Sequence, residues 1–186
     1  MPRDSVFAIE GVTLPTGEMV RVASLCRARG DDNCGPLTHL ERARRGDTSL
    51  ADAYEAVLPS SIEKLVGGLE GDFDAILSPP SDHPYATRYR DAFLERYADA
   101  DDLTQYVTRA ADAAQSGAAG TTLLDVIAGL RATPLPSHPR AASLLIVDDI
   151  FEGGKTVAAL LHVLREAGLR TRAVTVACVI RRFGVR

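Results

Sequence analysis

The chain has 186 residues, with 21 basic against 25 acidic side chains and a net charge of −4. That length fits one α/β domain able to bury a real core, and the charge argues against a general nucleic-acid binder. There is no long apolar run of membrane-spanning length and no signal-type start, so a cytoplasmic protein with no membrane partner is expected.

In chain order, Val6–Ile9 and Met19–Leu25 predict an N-terminal hairpin around a Pro15-Thr16-Gly17 turn. Residues 27–37 are polar and read as a loop. Leu50–Leu58 and Ile62–Leu69 predict helices broken at Pro59. Phe73–Leu77 is the first buried strand, followed by a helix over Tyr85–Ala98. A short strand over Leu103–Val107, a helix over Leu123–Leu130 and a proline-rich connector at Pro134–Pro139 come next. A strand at 144–147, a helix after it and a last strand over Ala173–Ile180 complete the series. Strands alternating with helices predict a mostly parallel sheet flanked by helices. Residues 1–186 form a single domain, with 1–48 an elaboration and 70–182 the core.

The segment 144–156 carries the chemistry. Leu144 to Val147 read as a buried parallel strand that ends in Asp148 and Asp149. A short loop with Gly153, Gly154, Lys155 and Thr156 leads into a helix whose Val157, Leu160, Leu161 and Leu164 share one face, with Gly168 as its stop. The glycines let backbone N–H groups approach a ligand; the Thr156 hydroxyl and the helix dipole favour a phosphate. The two acids repel a phosphate but suit sugar hydroxyls, or Mg²⁺ held through water. A ribose 5-phosphate satisfies both halves. Gly-Lys-Thr also ends the nucleotide-binding P-loop, but that motif requires glycine where Asp149 stands. A strand–turn–helix with no ligand is the plain alternative, and it leaves two acids at a buried strand tip unexplained. Lys155 is one of only two lysines, Lys64 being the other; it either serves the loop or starts a helix facing solvent.

Val147 to Thr156 resembles the PRPP-binding motif of type I phosphoribosyltransferases, and its Asp-Asp-Ile-Phe-Glu-Gly-Gly-Lys-Thr form is most similar to the hypoxanthine-guanine branch. The resemblance implies a Rossmann-like, mostly parallel sheet flanked by helices, with an N-terminal hairpin or hood. It implies that Asp148 and Asp149 bind the ribose 2- and 3-hydroxyls, and that Glu152, Gly153, Gly154, Lys155 and Thr156 wrap the 5-phosphate. Glu152 falls where the purine branch carries an acid near the base, so it is the candidate general base. Mg²⁺ is the implied cofactor; it arrives with PRPP, and Asp148 and Asp149 are the acids it can reach, with no direct protein metal site. The implied activity is phosphoribosyl transfer to a nucleobase or amine nitrogen with release of pyrophosphate. The alternatives are a catalytically inactive PRPP- or nucleotide-binding regulator and, more weakly, a phosphoribosyl hydrolase.

In that family the loop after the first core strand binds pyrophosphate. Here it is Ser78, Pro79, Pro80 and Ser81, with Arg88 and Arg90 able to grip pyrophosphate bidentately. The usual basic residue before two glycines is absent; the loop looks closer to the proline-rich form of glutamine-dependent amidotransferase members. A rigid proline turn with solvated arginines is the other reading, and His83 reads as a loop histidine. A hood over the acceptor must come from the hairpin, from 27–45, or from another chain such as a second copy or a partner protein, because little sequence follows Ile180. Phe183 is the one aromatic near the C-terminus placed to stack on a base. Asp99–Ala142, with Arg109, Arg131 and Arg140, spans the place of a closing loop or is ordinary packing. Three cysteines are too few for a disulfide framework. Cys26, Cys34, Asp31, Asp32 and His39 are too few and badly spaced for a closed zinc site. Cys178 reads as core.

Overall fold

The computed structural model describes residues 7–29, 39–40, 48–81, 83–110, 120–135 and 142–183. A hairpin of β1 (Ala8–Thr13) and β2 (Met19–Arg29) opens the chain. Its turn closes through the Gly17 amide on the Leu14 carbonyl at 2.9 Å, with Gly17 at φ 85°, a backbone state that glycine adopts without a Cβ penalty. Then follow α1 (Thr48–Gly68), β3 (Ala75–Leu77), α2 (Pro84–Arg96) and β4 (Asp101–Asp102). A ribbon of β5 (Val107–Arg109) and β6 (Leu130–Ala132) brackets α3 (Leu123–Ala128). Finally come β7 (Ser143–Glu152), α4 (Lys155–Glu166) and β8 (Ala173–Phe183).

The main sheet has six strands in the order β1-β2-β8-β7-β3-β4, antiparallel at β1–β2 and parallel elsewhere. Leu144 to Val147 have no exposed surface, because helices cover both faces of the strand that carries them. On one face α1 and α2 bring Tyr54, Leu58, Leu65, Tyr89 and Phe93 onto Leu145, Val147 and Val179. On the other, α4 lays Val157, Leu160, Leu161 and Leu164 on Leu144, Ile146 and Val176. Among the described residues no helix is long and apolar enough to cross a membrane.

Several expected boundaries differ. The helix expected to break at Pro59 runs unbroken. Proline removes only the bond its amide would make to the Glu55 carbonyl, and burial of Tyr54, Leu58 and Leu65 on both sides of Pro59 holds the helix; the hydroxyls of Ser60 and Ser61 also donate to the Val57 carbonyl at 3.0 and 2.9 Å. Residues 27–29, expected in a loop, extend β2, since β8 offers Arg181 to Phe183 as ladder partners. Leu103–Val107 is not a strand: Thr104–Tyr106 is a 3₁₀ turn, and the following strand pairs with Leu130–Ala132, part of which was expected to be helical. The strand at Phe73 begins only at Ala75. The expected 30–37 loop, most of the 134–139 connector, Cys34, Asp31, Asp32 and Arg140 lie outside the described residues. Cys26 is disulfide-bonded, and Cys178 is free and buried.

Candidate phosphate site

The largest departure from the sequence reading is where β7 ends. The strand does not stop at the acids but continues to Glu152, in register with β8 through Asp148–Cys178, Ile150–Ile180, Phe151–Arg181 and Glu152–Arg182. The acids interrupt the ladder without ending it: the Asp149 amide donates to the Asp148 carboxylate at 2.9 Å. The turn itself is then only two residues. The Gly154 amide reaches the Glu152 carbonyl at 2.5 Å, an i to i+2 closure around Gly153 at φ 58°. Gly154, at φ 70°, is the N-cap of α4, and the Ala158 amide closes the first helical turn on its carbonyl at 2.9 Å. The helix therefore begins directly at this turn, and the dipole of its 12 residues points at the same space.

Gly154 is also a packing requirement. A Cβ there would lie 2.7 Å from Leu14 Cδ2 and 3.3 Å from Phe151 Cζ, so the N-terminal hairpin sits directly on the turn. Nothing lies within 4 Å of the corresponding position at Gly153, which faces open space. Glu152 is exposed and Thr156 half-buried. Lys155 is half-buried, and its Nζ donates to the Thr121 carbonyl at 2.7 Å, tying the start of α4 to the segment before α3.

The acid pair is split. Successive side chains of a strand leave on opposite faces. Asp148 is half-buried, with its charge beside the Cys178 thiol. Asp149 is only 3% exposed, with its charge beside the hydroxyls of Tyr54 and Tyr89 under α1 and α2. Those two hydroxyls are 3.1 Å apart and fully buried.

Burial, reinforced by the other hydroxyl and by Asp149, pushes the Tyr54 hydroxyl well above its ordinary 10.0. Burial likewise raises Tyr89. Burial and then Asp148 raise the Cys178 thiol above its ordinary 9.0. Each group stays protonated in the folded chain while the unfolded chain ionises, so this stability is complete below the ordinary values and is lost as pH climbs past them. We expect denaturant midpoints to fall from about pH 9 upward, and Tyr54→Phe to make that fall shallower; equal slopes in wild type and variant would refute this.

The residues predicted for pyrophosphate make contacts of their own within the chain. The Ser78 amide donates to Thr104 Oγ1 at 3.0 Å. Ser78 and Pro79 are buried, Pro80 is half-buried and Ser81 exposed, and Ser81 accepts the His83 amide at 3.1 Å. Arg88 pairs with Glu55 on α1, and Arg90 bonds Asp91 at 2.6 Å with Asp102 at 4.0 Å. Leu77 pairs with Ile146, which places Glu152 about 16 Å along β7 from the level of Ser78 at the usual strand rise. Phe183 has Arg27 and Arg181 over its ring at 5.2 and 4.7 Å. A separate cavity of about 500 Å³, lined by Ile127, Leu130, Arg131, Pro134, Val163 and Glu166, lies at the opposite end of α4.

Sequence reasoning missed Thr104, Thr121, the tyrosine pair, and the Glu10–Arg181–Phe151 contacts described below. Apart from Phe151 none lies in a motif, and each contact depends on long-range packing. Among the described residues no group of three or more His, Cys, Asp or Glu side chains converges on a metal position. Compared with models of known protein families and with curated proteins, the chain matches none.

Proposed function

We propose that the chain binds PRPP and transfers its phosphoribosyl group to a nitrogen of a nucleobase or amine, releasing pyrophosphate, on a type I phosphoribosyltransferase-like sheet. The observation that carries this reading is the turn at Glu152–Thr156. Two left-handed glycines deliver the chain into a helix N-terminus, on the strand that also holds Asp148 and Asp149. Phosphate oxygens accept from the amides of the turn and of the first turn of α4, helped by the Thr156 hydroxyl. Asp148 and Asp149 accept from the ribose hydroxyls, which requires Asp149 to become accessible from its buried position. Their carboxylate oxygens are hard donors that fit Mg²⁺ through water, and Mg²⁺ carried on the diphosphate would neutralise charge on the leaving group. As the ribose C1–O bond to pyrophosphate breaks, with the electron pair leaving on pyrophosphate, a C1–N bond forms. Exposed Glu152 takes the proton that the nitrogen loses, a step typically worth about 10²–10⁴-fold.

A second reading, a non-catalytic PRPP-binding regulator, is favoured by the pyrophosphate side: the Ser78 amide and both arginines are already engaged within the protein. Calorimetric titration with Mg²⁺ and PRPP, followed by a pyrophosphate-release screen over nucleobases and amines, separates the two. Binding with release for one acceptor is the expected result. Binding without release for any acceptor selects the regulator, and no binding sinks both.

A further inference from the structure

We propose that Arg181, held by Glu10, is a positioning residue for the phosphate turn, an inference that rests on the reading of that turn given above. Arg181 is only 8% exposed, an unusual burial for a side chain that is always charged. Its Nε faces Glu10 Oε1 at 3.3 Å, and its Nη1 donates to the carbonyls of Arg182 at 2.9 Å and Phe151 at 3.3 Å. The guanidinium lies over the rings of Phe151 at 4.6 Å and Phe183 at 4.7 Å. Glu10 is itself fixed from the other side by Arg27 at 2.8 Å.

Phe151 is what the arginine holds, and Phe151 is what Gly154 packs against. A continuous path therefore runs from Glu10 on β1, through Arg181 on β8 and Phe151 on β7, to the N-cap of α4. The hairpin that supplies Glu10 touches the turn once more and also reaches the last turn of the helix that follows it. Leu14 and Pro15 cover Gly154, and Glu18 takes a two-point bond from Arg165 on α4 at 2.6 and 2.8 Å. An apolar side chain could fill the space between the two phenylalanine rings. Only a planar fork reaches the Glu10 carboxylate and the Phe151 carbonyl while sitting over both rings. Buried ion pairs are weak stabilisers, so core filling alone does not account for an arginine here. Amides that must meet a phosphate need a rigid support, since misplacing them by about 1 Å can cost about 10²-fold.

The test uses the full chain as wild type, Arg181→Met, Arg181→Lys and Glu10→Gln, with two readouts. In calorimetry with Mg²⁺ and PRPP, Arg181→Met and Arg181→Lys should each weaken affinity by about tenfold or more, and Glu10→Gln by less. In amide exchange, Phe151 to Val157 should exchange faster in all three variants while Leu144 to Val147 keep their wild-type protection. Lysine keeps the charge opposite Glu10 but cannot form the fork; wild-type affinity in Arg181→Lys would therefore overturn the positioning role. Unchanged exchange over 151–157 in Glu10→Gln would overturn it as well, even if Arg181→Met does not fold. If wild type binds no PRPP, the phosphoribosyl reading fails while the exchange comparison still decides the role of Arg181.

Discussion

Gly154→Ala should destabilise the chain by about 2–4 kcal/mol and remove phosphate binding, whereas Gly153→Ala should cost only about 1 kcal/mol. The two glycines are adjacent and both left-handed, at φ 58° and 70°, so the backbone penalty for a side chain is similar at each. The difference lies in what a Cβ meets. At Gly153 it points into open space; at Gly154 it comes 2.7 Å from Leu14 Cδ2, and Leu14 is itself 3% exposed. A buried leucine can move only by disturbing its neighbours, so the hairpin must lift from the turn or the turn must reshape. Either response displaces the amides of α4's first turn. Denaturant titrations of the two alanine variants, with Leu14→Ala and Leu14→Ala/Gly154→Ala, check the cause. The double variant should be more stable than the sum of the single losses, because removing the leucine methyls relieves the clash. Strict additivity would show that the hairpin contact is irrelevant and that only backbone strain matters.

The helix that starts at this turn was legible because apolar residues at 157, 160, 161 and 164 recur at helical spacing and all are buried. The hairpin was legible from its Pro-Thr-Gly turn, and the parallel core from runs such as Leu144–Val147 that never alternate. What could not be read was where neighbouring strands would let an element continue. Asp148 and Asp149 look like the end of a strand, yet β8 supplies a ladder partner as far as Arg182, and β7 follows it to Glu152. Arg27 and Arg29 look like loop for the same reason, and β2 also follows β8. Pro59 marks a break in an isolated helix, but the core packed under α1 overrides it. The site divides in the same way. The glycine turn and helix start are local and lie where the motif put them. The surroundings of Arg88 and Arg90 depend on how α2 meets α1 and β4. Only the packed chain shows that Glu55, Asp91 and Asp102 already hold those guanidinium groups.

The split acid pair supplies the second large effect. Asp148→Asn and Asp149→Asn should each weaken Mg²⁺-PRPP binding by about 30-fold or more, and the double variant should show no titration heat; wild-type affinity in the double variant would remove the basis of the assignment. The two single variants should differ in a way that reports where each carboxylate sits. Asp149 helps hold the Tyr54 and Tyr89 hydroxyls above their ordinary range. Its replacement lets those values fall back, so less stability is lost as pH rises through the tyrosine range. Asp148 acts instead on the Cys178 thiol, so its replacement should flatten the part of the alkaline limb that begins near pH 9 and leave the tyrosine part largely unchanged. Denaturant midpoints of both variants, measured across the same alkaline series as wild type, read this directly. Loss of PRPP affinity in both variants with distinct alkaline limbs would mean that ligand binding draws Asp149 out of the tyrosine layer. Loss confined to Asp148→Asn would mean that only the carboxylate on the α4 face meets the sugar. Asp149 would then be a buried acid that ribose never reaches, and the second hydroxyl contact would have to come from the exposed rim of the turn.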